Sequence, residues 1–238
     1  MKLKLDVNKL KPFVNAMNLW FSAIAEEYKS GIGKTTQNGK HFAVWDKRFD
    51  VLREEIEKQE GFDCVAVKRG RLWEFLALID VKSKCLYIFF TDERLTAILK
   101  DSNYYKHYLN SLLYINHDLD TEGEHQVVLF ENKELEELRL EDSKRMLKDK
   151  FNLIGRVIPI TLTYKSGELI KSEARLLNGN SEILDVQDLS SIIDSNFDKN
   201  AAIYDAGVSP ITKLKSGVSK KNEKIVSTKE NEETSKKD

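Results

Sequence analysis

Residues 62–91, FDCVAVKRGRLWEFLALIDVKSKCLYIFFT, hold three apolar, β-branched and aromatic runs separated by two short polar turns. Phe62–Lys68 ends at the Arg69-Gly70 turn. Leu72–Val81 follows, then Lys82-Ser83-Lys84, and Cys85–Thr91 closes the set. Turns this short join antiparallel neighbours, which predicts a three-stranded meander. Phe75, Leu76, Ala77, Leu78 and Ile79 are apolar without alternation. A strand covered on both faces has that pattern, so the middle run is expected at the centre of the sheet.

Upstream, Leu10, Phe13, Val14, Met17, Trp20, Phe21, Ile24 and Tyr28 recur at three- and four-residue steps. This spacing predicts one amphipathic helix over 8–29, with Asn8 as its cap and Pro12 in its first turn. Residues 30–42 read as a loop. A second helix is expected over Ala43–Glu60, with Trp45, Phe49, Leu52 and Ile56 inward and Gly61 as its stop.

Downstream, helix is expected over Asp92–Asn116 with a break near Asp101-Ser102. A short strand should follow at His125–Phe130 and a charged helix at Lys133–Lys150. Arg156–Tyr164 and Leu169–Leu176 then form a hairpin, and Ile183–Ile193 a strand followed by a short helix. The fold class is α+β: N-terminal helices packed on one side of a mostly antiparallel sheet. One domain over 1–208 is expected, with sub-lobes at 1–118 and 119–208.

The chain carries 38 basic and 39 acidic side chains, for a net charge of -1. Residues 211–238 hold 8 Lys, 5 acids and no aromatic, which leaves 30 basic and 34 acidic residues in 1–210. A basic tail of +3 thus offsets a mildly acidic body of -4. The stretch 209–238 reads as a disordered tail. The acidic body argues against a dedicated nucleic-acid coat. Two cysteines make no disulfide framework, no CxxC or CxxxH spacing suggests zinc, and no run reaches the ~18 apolar residues of a membrane span. Met1 to Asp6 is too polar for a signal peptide, and a reducing cytoplasm is the expected compartment.

Three strings invite chemical readings. Lys29-Ser-Gly-Ile-Gly-Lys-Thr-Thr36 looks like a deviant P-loop, but a P-loop needs a buried strand before it and a helix directly after it, and the periodicity places a helix before it. Asp80-Val81-Lys82 at a strand end is similar to the acid-x-Lys of restriction-endonuclease-like nucleases. There, two carboxylates bind Mg²⁺ and the lysine steadies water or phosphate. Asp63, or Glu54 or Glu55, would supply the second carboxylate. The competing reading is a polar hairpin turn. Lys68-Arg69-Gly70-Arg71 with Trp73 beyond it suits a binding tip, since a basic turn beside an aromatic grips a phosphate backbone and stacks a base; the competing and favoured reading, given the acidic body, is a solvated turn with Trp73 in the core.

Several of these pieces together resemble a family of unknown function from Gram-positive bacteria and their phages and mobile elements. Trp45-Asp46-Lys47-Arg48-Phe49, Val67 to Phe75, and Lys84 to Phe90 carry the likeness, with Leu184 to Ile193 as a later segment. Leu72 and Asp188-Leu189-Ser190 depart from it. The resemblance implies no catalytic residues and no cofactor. It supports the boundaries and the Arg69 to Trp73 hairpin as a shared feature. The lack of an intact catalytic constellation, the aromatic-rich helices and the polar tail lead to the expectation of a non-catalytic interaction or regulatory protein of a phage or mobile-element conflict system, acting on a protein partner. The alternatives are a metal-dependent nuclease using Asp63, Asp80 and Lys82, and a nucleic-acid-binding module using Lys68, Arg69, Arg71 and Trp73.

Overall fold

A computed structural model describes residues 2–19, 21–32, 35–69, 73–101, 103–119 and 133–194. Its centre is a six-stranded sheet in the order β1-β2-β3-β4-β5-β6: β1 Phe62–Arg69, β2 Trp73–Asp80, β3 Cys85–Thr91, β4 Arg156–Lys165, β5 Glu168–Leu177 and β6 Ile183–Asp188. The expected meander β1-β2-β3 is present, and so is the β4-β5 hairpin. The latter turns on Ser166 and Gly167, both at positive φ (53° and 88°), as a two-residue hairpin loop requires. All neighbours are antiparallel except β3 and β4, which run parallel from Cys85↔Arg156 to Thr91↔Leu162. One sheet therefore passes through both of the stretches 1–118 and 119–208.

A parallel pair needs a crossover. Here it is helical: α4 Asp92–Lys100, α5 Tyr108–Leu113 and α6 Lys133–Leu147 lie between β3 and β4 in the chain, among shorter 3-10 turns. Thr91 starts α4 by accepting the Arg94 N–H on its hydroxyl.

The helices cover both faces of the sheet, not one side alone. On the first face, α1 (Val7–Ala16) and α3 (Lys40–Glu57) pack Leu10, Phe13, Val14, Leu52 and Ile56 onto Leu76, Leu78, Tyr87, Phe89, Ile158 and Ile160. On the second, Leu95, Ile98, Leu109, Leu112, Leu113 and Leu147 pack onto Ala77, Ile79, Leu86, Ile88 and Val157. The period of two in β3 divides it cleanly between the layers: Cys85, Tyr87 and Phe89 against Leu86, Ile88 and Phe90. β2 is buried throughout Phe75–Ile79, as its unbroken apolar run requires.

The single helix expected over 8–29 is two helices, α1 and α2 (Phe21–Gly31). The apolar period continues across the break, but Asn18 does not continue the helix. Its side chain accepts the Leu169 N–H and donates to the Asp194 carbonyl. Asn15 likewise donates to the Ile192 carbonyl and accepts the Asp194 N–H. These bonds fasten residues 192–194 to the end of α1. Pro12 falls inside α1, not in its first turn, because the helix begins at Val7. α3 starts three residues earlier than expected and ends at Glu57, with Gly61 at a φ of 83° beyond it. The expected strand at His125–Phe130 and the tail at 209–238 lie outside the described residues. No described helix is long and apolar enough to cross a membrane.

Candidate functional site

The β1-β2 ladder is continuous from Phe62↔Asp80 to Arg69↔Trp73. It projects Lys68 and Trp73 at its far end, with Lys68 directly opposite Glu74. Arg69 ends β1, and Gly70, Arg71 and Leu72 lie outside the described residues. Trp73 does not enter either core. Its indole is half-buried and meets the ring of Phe42 edge-to-face at 5.4 Å between centroids. Phe42, in the first turn of α3, is 52% exposed. An aromatic pair therefore stands at the surface where the β1-β2 ladder ends.

The next turn of α3 sets the local electrostatics. Burial raises the Asp46 carboxyl above the usual carboxylate range, and the charges of Asp50 and Glu74 add to the rise. Lys68, opposite Glu74 on the ladder, thus stands close to a group of carboxylates in which Asp50 and Glu74 both act on Asp46. The aromatic pair, the cross-strand neighbours Lys68 and Glu74 and the α3 carboxylates at one end of the hairpin suit a protein surface of mixed charge. They suit a polyanion less, because Asp46, Asp50 and Glu74 oppose it.

The residues of the nuclease reading are divided between two places. Asp63 stands opposite Ile79 and Asp80 opposite Phe62, so alternation sends their side chains to opposite faces of the sheet. Asp63 is paired with Lys150 and accepts the Cys64 N–H at 2.8 Å. Burial alone would raise its pKa, but the ammonium and the amide more than reverse this and hold it below the usual range. Asp80 accepts the Lys82 and Ser83 N–H groups at 3.0 and 3.1 Å, which is the polar-turn reading of this string. Asp63 and Asp80 therefore do not form the shared carboxylate pair that the nuclease reading assigns them. Among the described residues, no group of three or more His, Cys, Asp or Glu could hold a metal ion.

Asp80 and Lys82 do share a half-open cleft of about 320 Å³ with Lys4, Asp6, Lys9 and Tyr87, where the N-terminal segment crosses the first face. Burial holds the Tyr87 phenol well above its usual pKa. The P-loop string begins inside the last turn of α2, and α3 starts only at Lys40. Neither the preceding strand nor the directly following helix of a phosphate loop is there, while Gly33 and Lys34 lie outside the described residues.

Sequence reasoning misses Phe42 because it places this residue in the loop before α3. It also misses Arg48, which is buried. The signal for Arg48 lies in the i+4 series Val44, Leu52 and Ile56, whose one gap is position 48.

A model of a family of unknown function (DUF5986) matches residues 2–237. No curated protein matches the chain, and no solved structure does.

Proposed function

We propose, for a chain that belongs to DUF5986, a family of unknown function, a non-catalytic role in the cytoplasm: it binds a protein partner through the end of the β1-β2 hairpin and the start of α3. The observation that supports this reading is the surface pair Phe42–Trp73 at the end of the β1-β2 hairpin, with Lys68, Arg69 and Arg71 close by in sequence. Aromatic and arginine side chains supply most of the energy at protein interfaces, and a half-exposed tryptophan locked by a second ring presents its area with little entropy left to lose. The partner that fits carries an acidic or mixed-charge patch with an apolar centre. A place in a phage or mobile-element conflict system belongs to the same proposal and rests on the resemblance described above.

The test is affinity capture with the full chain from its own cells, with and without nuclease treatment of the lysate. A discrete protein retained after that treatment, and lost with Trp73→Ala, is the expected result. Binding that disappears with nuclease treatment would instead favour the nucleic-acid module. Metal-dependent cleavage of DNA or RNA that is abolished by Asp80→Ala would favour the nuclease.

A further inference from the structure

Arg48 is a buried cation without an anionic partner among the described residues. It occupies the core stripe of α3, between Val44 and Leu52, and is only 4% exposed. Its guanidinium carbon lies 4.3 Å from the centroid of the Tyr164 ring and 5.3 Å from that of Trp45. Ring faces attract the charge but do not replace oxygen acceptors for five N–H donors. No carboxylate, carbonyl or hydroxyl among the described residues accepts a hydrogen bond from it, and its Nε is fully enclosed without a partner. The Nη atoms are not fully enclosed.

Such an arrangement is costly as it stands. A buried charge without a counter-charge is among the least favourable features a core can hold, and buried donors are almost always satisfied. Burial presses the Arg48 pKa downward, yet a guanidinium stays protonated in proteins. The surroundings fix the fork in place. Tyr164 donates its hydroxyl to the Met17 carbonyl at 2.8 Å, which holds its ring over Arg48. Trp45, the second ring against Arg48, meets Phe49 at 5.5 Å between centroids. The result is a guanidinium held against two aromatic rings, with no acceptor for its donors among the described residues.

We infer that Arg48 is the base of a binding site for a small oxyanion, a carboxylate or a phosphate, held by the guanidinium fork between Trp45 and Tyr164. Paired oxygens match the fork bidentately, and a low-polarity surround strengthens the pairing. This site is independent of the hairpin surface.

The test is a titration of the ¹⁵N-labelled full chain with sodium phosphate and, separately, sodium acetate, each against sodium chloride at equal ionic strength. The Arg48 Nε–H resonance is expected to shift saturably with at least one oxyanion and not with chloride, and Tm to rise in parallel. A phosphate-only response assigns a phosphate ligand, and an acetate-only response a carboxylate. Arg48→Met should abolish the increment in Tm. Arg48→Lys, which keeps the charge but loses the fork, should weaken binding by about tenfold. The inference is overturned if neither oxyanion moves the resonance beyond chloride, or if Arg48→Met gains the same increment. Should Arg48→Met not fold, the wild-type resonance and the Arg48→Lys affinity decide the question.

Discussion

Asp63 and Asp80 are one residue out of step across the β1-β2 ladder, and their carboxylates leave opposite faces of the sheet. Each has its own local role, since Asp63 ties β1 to Lys150 and Asp80 closes the β2-β3 turn. Asp80→Ala is expected to lower stability by about 1 kcal/mol, because two turn amides lose their acceptor where water replaces it in part. Asp80→Asn keeps an acceptor and should be close to neutral. Urea melts of the two variants measure the difference. Equal losses in both would mean that the charge of Asp80, not its turn bonds, matters.

The Asp63–Lys150 pair makes a prediction about acid. The folded pKa of Asp63 lies below its ordinary value. Its stabilising contribution is therefore complete above the unfolded carboxylate pKa and is lost as pH falls through the folded one. Both side chains are part-exposed, so the effect is small. Asp63→Asn should show a modestly lower Tm than wild type at neutral pH, and the two should converge in strong acid. A gap that persists in acid would assign the loss to packing.

Tyr164 makes the opposite prediction at high pH. Burial pushes its pKa up to about 12, with Arg48 pulling the other way. A phenol whose folded pKa is raised favours the fold fully below the unfolded value near 10 and loses that contribution as pH rises through about 12. Tyrosinate absorbance should show late-titrating phenols, Tyr164 among them, and Tyr164→Phe should remove one. The same variant loses the hydrogen bond to Met17, at a cost of about 1 kcal/mol near neutral pH.

Asn116 joins the 3-10 turn Tyr114–Leu119 to the sheet. It is fully buried, donates to the carbonyls of Val157 and Leu177 at 2.8 and 2.7 Å, and accepts the Val157 N–H at 2.9 Å. Asn116→Ala leaves three buried backbone groups unpaired, and a loss of about 3 kcal/mol or more is expected from the usual cost of each. Denaturant melts with an unchanged m-value would confirm it. A loss under about 1 kcal/mol would show that water takes over these bonds.

The parts legible in the sequence are those set by local chemistry. The meander follows from period and turn residues between Phe62 and Thr91, and the β4-β5 turn from Ser166-Gly167. The remainder depends on partners distant in the chain. The break after α1 is made by Asn18 reaching Leu169 and Asp194, while the apolar period alone runs on to Tyr28. The parallel β3-β4 pairing joins residues about seventy positions apart, and no local pattern announces it. Arg48 falls in the buried i+4 series of α3, but its ring partner Tyr164 lies more than a hundred positions away and no local pattern announces the contact. Phe42 becomes a surface feature only because α3 begins at Lys40.

The hairpin surface is tested most directly by placing a photo-crosslinking residue at Phe42 in the full chain within its own cells, with the same residue at Lys171, an exposed site on β5, as the control. The proposed function predicts a discrete protein adduct at position 42, absent at position 171, and abolished by Trp73→Ala. Adducts to nucleic acid, or an identical pattern at both positions, would contradict it.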